Sequence, residues 1–151
     1  MSRYSLDELH AASVPATELK SENCSAAELC AAGFSAAELR DAFSVSELRS
    51  QSGEKLFTAA QMKDAAFSAA ECKEGGYSAK ELLDGGFTVA NLKEAKFEPV
   101  ALKVEGFTAS ELRSDYTPLE LKPAFSASEL RLQQFSAADL KQAFLAQAAV
   151  L

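Results

Sequence analysis

The chain has 151 residues, with 15 Lys plus Arg against 22 Asp plus Glu, and so carries a formal charge of −7. Hydrophobic residues make up 48% of it, which suits one compact domain or a short repeat array and argues against a collagenous or wholly disordered chain. The acidic balance argues against a general nucleic-acid binder, and one His with three Cys leaves little material for a metal site or a His-based triad.

The N-terminal stretch from Met1 to His10 has neither an apolar signal core nor an Arg-rich presequence. From Tyr4 onward the sequence repeats. Repeats of about ten residues begin at Tyr4, Val14, Cys24, Phe34, Phe43, Phe57, Phe67, Tyr77, Phe87, Phe97, Phe107, Tyr116, Phe125, Phe135 and Phe144. All 10 Phe and all 3 Tyr fall in the first position of this frame. Leu dominates the sixth position, with Met62 and Cys72 as substitutes. Ser or Thr dominates the second, an acid the fifth and Lys or Arg the seventh.

A single long helix cannot carry this pattern. Ten residues at about 100° each turn the apolar stripe by about 80° per repeat, so it faces nothing consistently. Strands are excluded by the absence of period-two alternation. The remaining reading is an all-α solenoid of about 14 short capped helices, one per repeat, in a single repeat-array domain over residues 1–151.

Each repeat supplies its own start signal. In Phe34-Ser35-Ala36-Ala37-Glu38-Leu39, Ser35 is the N-cap and Glu38 completes a capping box, with Phe34 and Leu39 as a hydrophobic staple. The frame recurs at Ser68/Glu71, Ser78/Glu81, Thr108/Glu111 and Ser126/Glu129. Pro99 and Pro118 fall at the first helical position, where a missing N–H costs nothing. Gly33, Gly75, Gly76, Gly85, Gly86 and Gly106 end repeats, where positive φ stops a helix. Positions one, three, six and nine turn inward. Helices this short are marginal alone, so stacking must supply most of the stability. Antiparallel helix pairs and a four-sided coil both fit the spacing. The fifth-position acids and seventh-position bases do not pair within a helix, and are expected as solvated charge in weak surface pairs.

The frame breaks in three places. The repeat at Phe43 carries an insertion near residues 50–56, read as a surface loop or as a bulge that touches a partner. From Glu98 to Val104 the consensus weakens, with Ala101 in place of the acid and Val104 in an exposed position; Pro123 and Leu132 are further apolar departures. The end, Phe144 to Leu151, lacks a cap residue and all charge, so it either covers the open core or docks on something else. Candidate contact residues are therefore Phe144, Leu145, Val150 and Leu151, with Gly53 and Lys55 in the insertion.

No catalytic, cofactor-binding or metal-binding residues are expected, and no enzyme. His10 reads as a solvated substitute for Lys, Cys24 and Cys72 as small buried hydrophobes, and Cys30 as a more exposed thiol with no His nearby in sequence. Three sparse cysteines suit a cytoplasmic or other reducing compartment, or an organelle if a presequence has been removed. No apolar run is long enough for membrane insertion.

The string Gly33-Phe34-Ser35-Ala36-Ala37-Glu38-Leu39-Arg40 resembles the tandem decapeptide arrays of the form G-F-S-A-x-E-L-K. The resemblance covers nearly the whole chain and implies a short-helix solenoid with an interaction role. It brings no catalytic residues with it. The expected function is a non-catalytic protein-interaction or scaffolding module, a small accessory subunit of a larger assembly, with a protein partner and no nucleic acid. The alternatives are a structural spacer acting by shape, an acidic nucleic-acid mimic and a thiol sensor through Cys30.

Overall fold

A computed structural model describes residues 4–48 and 52–145. Among these residues thirteen helices form and no strand: α1 (Leu6–Ala11), α2 (Ala16–Ser21), α3 (Ala26–Ala31), α4 (Ala36–Leu39), α5 (Ala59–Asp64), α6 (Ala69–Glu74), α7 (Ala79–Asp84), α8 (Val89–Glu94), α9 (Pro99–Val104), α10 (Ala109–Leu112), α11 (Pro118–Leu121), α12 (Ala127–Leu132) and α13 (Ala137–Leu145). The protein is all-α and built of short-helix repeats. It forms two compact units, Met1–Phe87 and Thr88–Leu151.

The caps fall where the Ser/Thr and Glu positions place them. Ser35 Oγ accepts from the Glu38 N–H at 3.4 Å, and the Glu38 carboxylate accepts from the Ser35 N–H at 2.8 Å. The same reciprocal box starts α1, α3, α5, α6, α7, α8, α10, α11 and α12. Gln61 and Asn91 complete two of these boxes without charge. Helices α2 and α9 begin at Pro15 and Glu98 with no side-chain cap.

Repeat length sets how each helix ends. In ten-residue repeats the helix has six residues and the tenth residue turns left-handed: Gly33, Gly76, Gly86 and Gly106 do so, and so do Ser13, Asn23, Ala66, Lys96 and Gln134. At all of these turns except the one before Phe135, the next first-position N–H then returns to the sixth-position carbonyl, as Phe34 does to Leu29 at 3.0 Å. This is the long-range bond of a Schellman stop. The nine-residue repeats that begin at Phe34, Phe107 and Tyr116 have four-residue helices and no left-handed residue. There Phe43, Tyr116 and Phe125 make the same connection, to Leu39, Leu112 and Leu121, as a helical i to i−4 bond at 2.8–2.9 Å.

Two of the glycines correct the expectation of positive φ. Gly75 and Gly85 have φ of −73° and −76°. They are required by proximity instead. A Cβ on Gly85 would lie 2.6 Å from the Ala59 Cβ and 2.7 Å from its carbonyl carbon, and one on Gly75 would strike the Val45 side chain.

Both contacts join the ninth position of one repeat to the third position of the repeat two before it. Helices likewise pack on their second neighbours: α2 on α4, α4 on α5 across the helix-free repeat at Phe43, α5 on α7, α9 on α11 and α11 on α13. Within each compact unit the stack therefore advances two repeats at a time. In each unit the sixth-position side chains, Leu29 to Leu82 with Met62 and Cys72 in the first and Leu92 to Leu130 in the second, are almost wholly buried at the centre of its core. Buried aromatics, from Phe34 to Phe87 in the first unit and Phe97 to Phe125 in the second, close these cores. Burying each such Leu or Phe contributes about 1.5–3 kcal/mol, against about 1 kcal/mol for a cap.

The repeat at Phe43 differs from expectation. Its residues Val45–Leu48 make one hydrogen-bonded turn on the Ser44 carbonyl, not a helix. Its cap is nevertheless present, with the Glu47 carboxylate 2.8 Å from the Ser44 N–H.

Candidate functional site

The polar surface is organised by one recurring contact that spans three repeats. A seventh-position cation lies over the first-position ring of a later repeat, against the carbonyl just before that ring, and against the fifth-position carboxylate beyond it. Lys20 has its Nζ 4.5 Å from the Phe43 ring centre, 2.7 Å from the Ala42 carbonyl oxygen and 2.8 Å from Glu47 Oε1. Lys93 does the same with Tyr116, Asp115 and Glu120, and Lys103 with Phe125, Ala124 and Glu129. Arg40 lies over Phe67, donates to the Ala65 carbonyl and comes to 4.0 Å from Glu71. Lys122 covers Phe144 and donates to the Ala143 carbonyl. Lys63 donates to the Gly86 carbonyl, and no acid follows because Asn91 stands there.

The acids thus serve twice. One carboxylate oxygen of Glu129 accepts from Ser126 and the other from Lys103. These contacts hold the carboxyls of Glu38, Glu47 and Glu129 down at about 2: the Ser35 hydroxyl leads at Glu38, Lys20 at Glu47, and the Ser126 N–H at Glu129. The pairs are half-exposed, so each contributes little in water.

His10 is more than a solvated substitute for Lys. Its ring packs 4.2 Å from the Phe34 ring, and its Nε2 lies 3.0 Å from Glu38 Oε1. The insertion supplies a cation as well. Leu56 N–H returns to the Leu48 carbonyl at 3.3 Å, which closes the loop. Lys55 then lies 4.5 Å over the Tyr77 ring and donates to Glu81 at 2.5 Å. An open groove of about 620 Å³ beside it is lined by Phe57, Tyr77, Glu81 and Asp84. Gly53 turns left-handed at φ +83° with open space around it. At the other end, Phe144 is half-buried under Lys122 and Leu145 is exposed on α13. Val150 and Leu151 lie outside the described residues.

A further set of exposed apolar residues lies on α9 and α11. Val100 and Val104 are one turn apart on α9, at 48% and 83% exposure, and Leu119 at 60% and Pro123 follow on and after α11. Because α9 packs on α11, these fourth and eighth positions share one face. Repeats at Phe34, Phe57 and Tyr77 carry Asp41, Asp64 and Asp84 at the eighth position instead. Val104 and Pro123 stand out in the sequence, whereas Val100 and Leu119 do not. Their signal is the fourth position, which is otherwise Ala or polar.

Cys72 is buried at the sixth position, and its thiol is pushed up to about 11 by loss of solvent. Burial also raises Cys30, which is half-buried, as is Cys24. Neither raised thiol is primed as a thiolate. Among the described residues no group of three or more His, Cys, Asp or Glu is placed to hold a metal. No described helix is long and apolar enough to cross a membrane.

Residues 57–124 match a family model described as a decapeptide repeat region. This stretch of the chain is a decapeptide repeat region. The matched stretch starts at the Phe57 aromatic and ends with the repeat that precedes Phe125, so its limits coincide with repeat boundaries. No curated protein and no solved structure matches the chain.

Proposed function

We propose that this repeat protein is a non-catalytic interaction or scaffolding module, a small accessory subunit that binds a protein partner through its second compact unit. The observation that carries the reading is the apolar face of Val100, Val104, Leu119 and Pro123. The eighth position, acidic in several earlier repeats, has become apolar there at Val104 and Pro123, and the fourth, otherwise Ala or polar, has become Val100 and Leu119; all four remain in water. Clustered exposed apolar side chains mark contact surfaces, whereas scattered ones do not. The recurring carboxylates and many of the seventh-position cations, in contrast, are engaged in caps and clamps, which speaks against a role for them as acid and base. An acidic nucleic-acid mimic is disfavoured by the same clamps, which interleave cations with the acids.

The test is recovery of tagged protein from its native cells after mild crosslinking. Proteins held by wild type and by a Ser128→Glu control, but lost from Val104→Glu combined with Leu119→Glu, identify the partner. An identical set of captured proteins from all three overturns the reading.

A further inference from the structure

The clamps define a receptor that the chain builds repeatedly: a ring, the carbonyl before it, and a carboxylate that also caps the following helix. Lys20, Lys55, Lys93 and Lys103 bring an ammonium to 2.5–3.0 Å from the carboxylate, whereas the Arg40 guanidinium comes only to 4.0 Å. The receptor suits a compact ammonium better than a planar fork.

One copy in the second compact unit is not filled by any of the described residues. Phe135 is the ring and is half-buried. Asp139 is the carboxylate; its Oδ2 accepts from the Ser136 hydroxyl at 2.5 Å, and its N–H donates to Ser136 Oγ at 3.1 Å. Its Oδ1 accepts no hydrogen bond among the described residues. The carbonyl before the ring belongs to Gln134, which is left-handed at φ +62°. Arg113 precedes Phe135 by the same number of residues as Lys103 precedes Phe125 and Lys122 precedes Phe144. Arg113 is nevertheless exposed and, among the described residues, contacts neither Phe135 nor Asp139. A guanidinium is the poorer fit, and Asp139 is one methylene shorter than the Glu that meets the cation elsewhere.

We infer that Phe135, the Gln134 carbonyl and Asp139 form a binding site for a primary alkylammonium, and that its ligand is a lysine side chain presented by a partner protein. The site offers a ring face and a charged acceptor, as all four lysine-filled copies do, and a neutral acceptor, as the copies filled by Lys20, Lys93 and Lys103 do. The lysine's carrier rests on the interaction reading above. The site itself is tested on purified chain without any partner, so its failure is separate from failure of the apolar face.

The experiment is a titration of the full chain with Nα-acetyl-lysine N-methylamide, followed by amide NMR. Lys103→Ala, which empties the Phe125/Glu129 receptor, provides an internal standard. Saturable shifts at Phe135, Ser136 and Asp139 in wild type are expected. Asp139→Asn should weaken them about tenfold, the scale of one charge-assisted hydrogen bond. The norleucine analogue, which lacks the ammonium, should give none. The site is refuted if wild type stays silent at concentrations that refill the Lys103→Ala receptor. It is also refuted if shifts arise only after Arg113→Ala, because the chain then fills its own site. Binding of spermidine without binding of the lysine derivative overturns the lysine assignment in favour of a free polyamine.

Discussion

Lys103 and Glu129, on α9 and α12, meet at 3.0 Å, and the Glu129 carboxylate also caps its own helix through Ser126. Helix initiation and the joining of distant repeats therefore converge on one side chain. The two roles separate in substitution, since an amide keeps the cap and loses the charge.

That separation predicts an acid response. Glu38 and Glu47 sit at about 2 when folded, below the ordinary value of about 4.3 expected of an unfolded Glu. A lowered folded value contributes stability that is complete above the unfolded value and lost as pH falls toward the folded one. The urea midpoint should fall between about pH 4.5 and pH 2, and Glu47→Gln should flatten that fall. A midpoint equally steep in wild type and variant contradicts the assignment. Solvent screening keeps each contribution small.

Gly85→Ala should destabilise more than Gly106→Ala. The first puts a methyl against the Ala59 backbone, which cannot yield, and overpacking of this kind costs about 1–3 kcal/mol. The second places Ala at φ +95° in open space and costs about 1 kcal/mol for the left-handed backbone. Denaturant midpoints of the two variants decide the order.

Leu102→Ala removes a fully buried sixth-position side chain and should cost about 2–5 kcal/mol. Leu132→Ala, at 79% exposure in a helix of the same unit, should change stability by less than about 0.5 kcal/mol. Comparable losses in thermal melts of the two would contradict the inward assignment.

Tyr116→Phe tests a contact that most repeats lack. The Tyr116 hydroxyl donates to the Phe97 carbonyl at 2.9 Å, as Tyr77 does to Phe57 at 2.5 Å. Burial pushes the Tyr116 hydroxyl up to about 12, so it remains a donor at all ordinary pH. Its loss should cost about 1 kcal/mol by urea titration. A neutral substitution would show that the hydrogen bond adds nothing.

Thiol labelling should follow burial. At about pH 8, Cys72 should resist iodoacetamide until the chain unfolds, and Cys30 should react more slowly than a free thiol. Rapid modification of Cys30 in the native protein would revive the thiol-sensor reading.

Much of this fold is legible in the sequence because its rules are local. A Ser and a Glu three residues apart make a cap wherever they occur, and Phe34 and Leu39 are tied to the same helix start. The clamps are not local. Lys20 on α2 and Glu47 in the helix-free repeat at Phe43 are far apart in sequence, and only the stacking of repeats brings them together. The glycines show the same division. Gly106 follows from backbone preference, whereas Gly85 answers to Ala59, distant in sequence. Ala66 and Lys96 adopt positive φ without glycine because the surrounding stack holds the turn. The missing helix after Phe43 reflects the insertion, which delivers its cation from a loop. The apolar face was half visible: Val104 and Pro123 break the pattern, but Val100 and Leu119 occupy a position that the pattern leaves loosely specified.

The bond from a first-position N–H to the sixth-position carbonyl behind it is made in both nine- and ten-residue repeats, as from Tyr116 to Leu112 and from Phe107 to Leu102. A gene encoding such an array can therefore gain or lose one codon at the joint without uncoupling adjacent helices, a freedom that strict-period solenoids do not have.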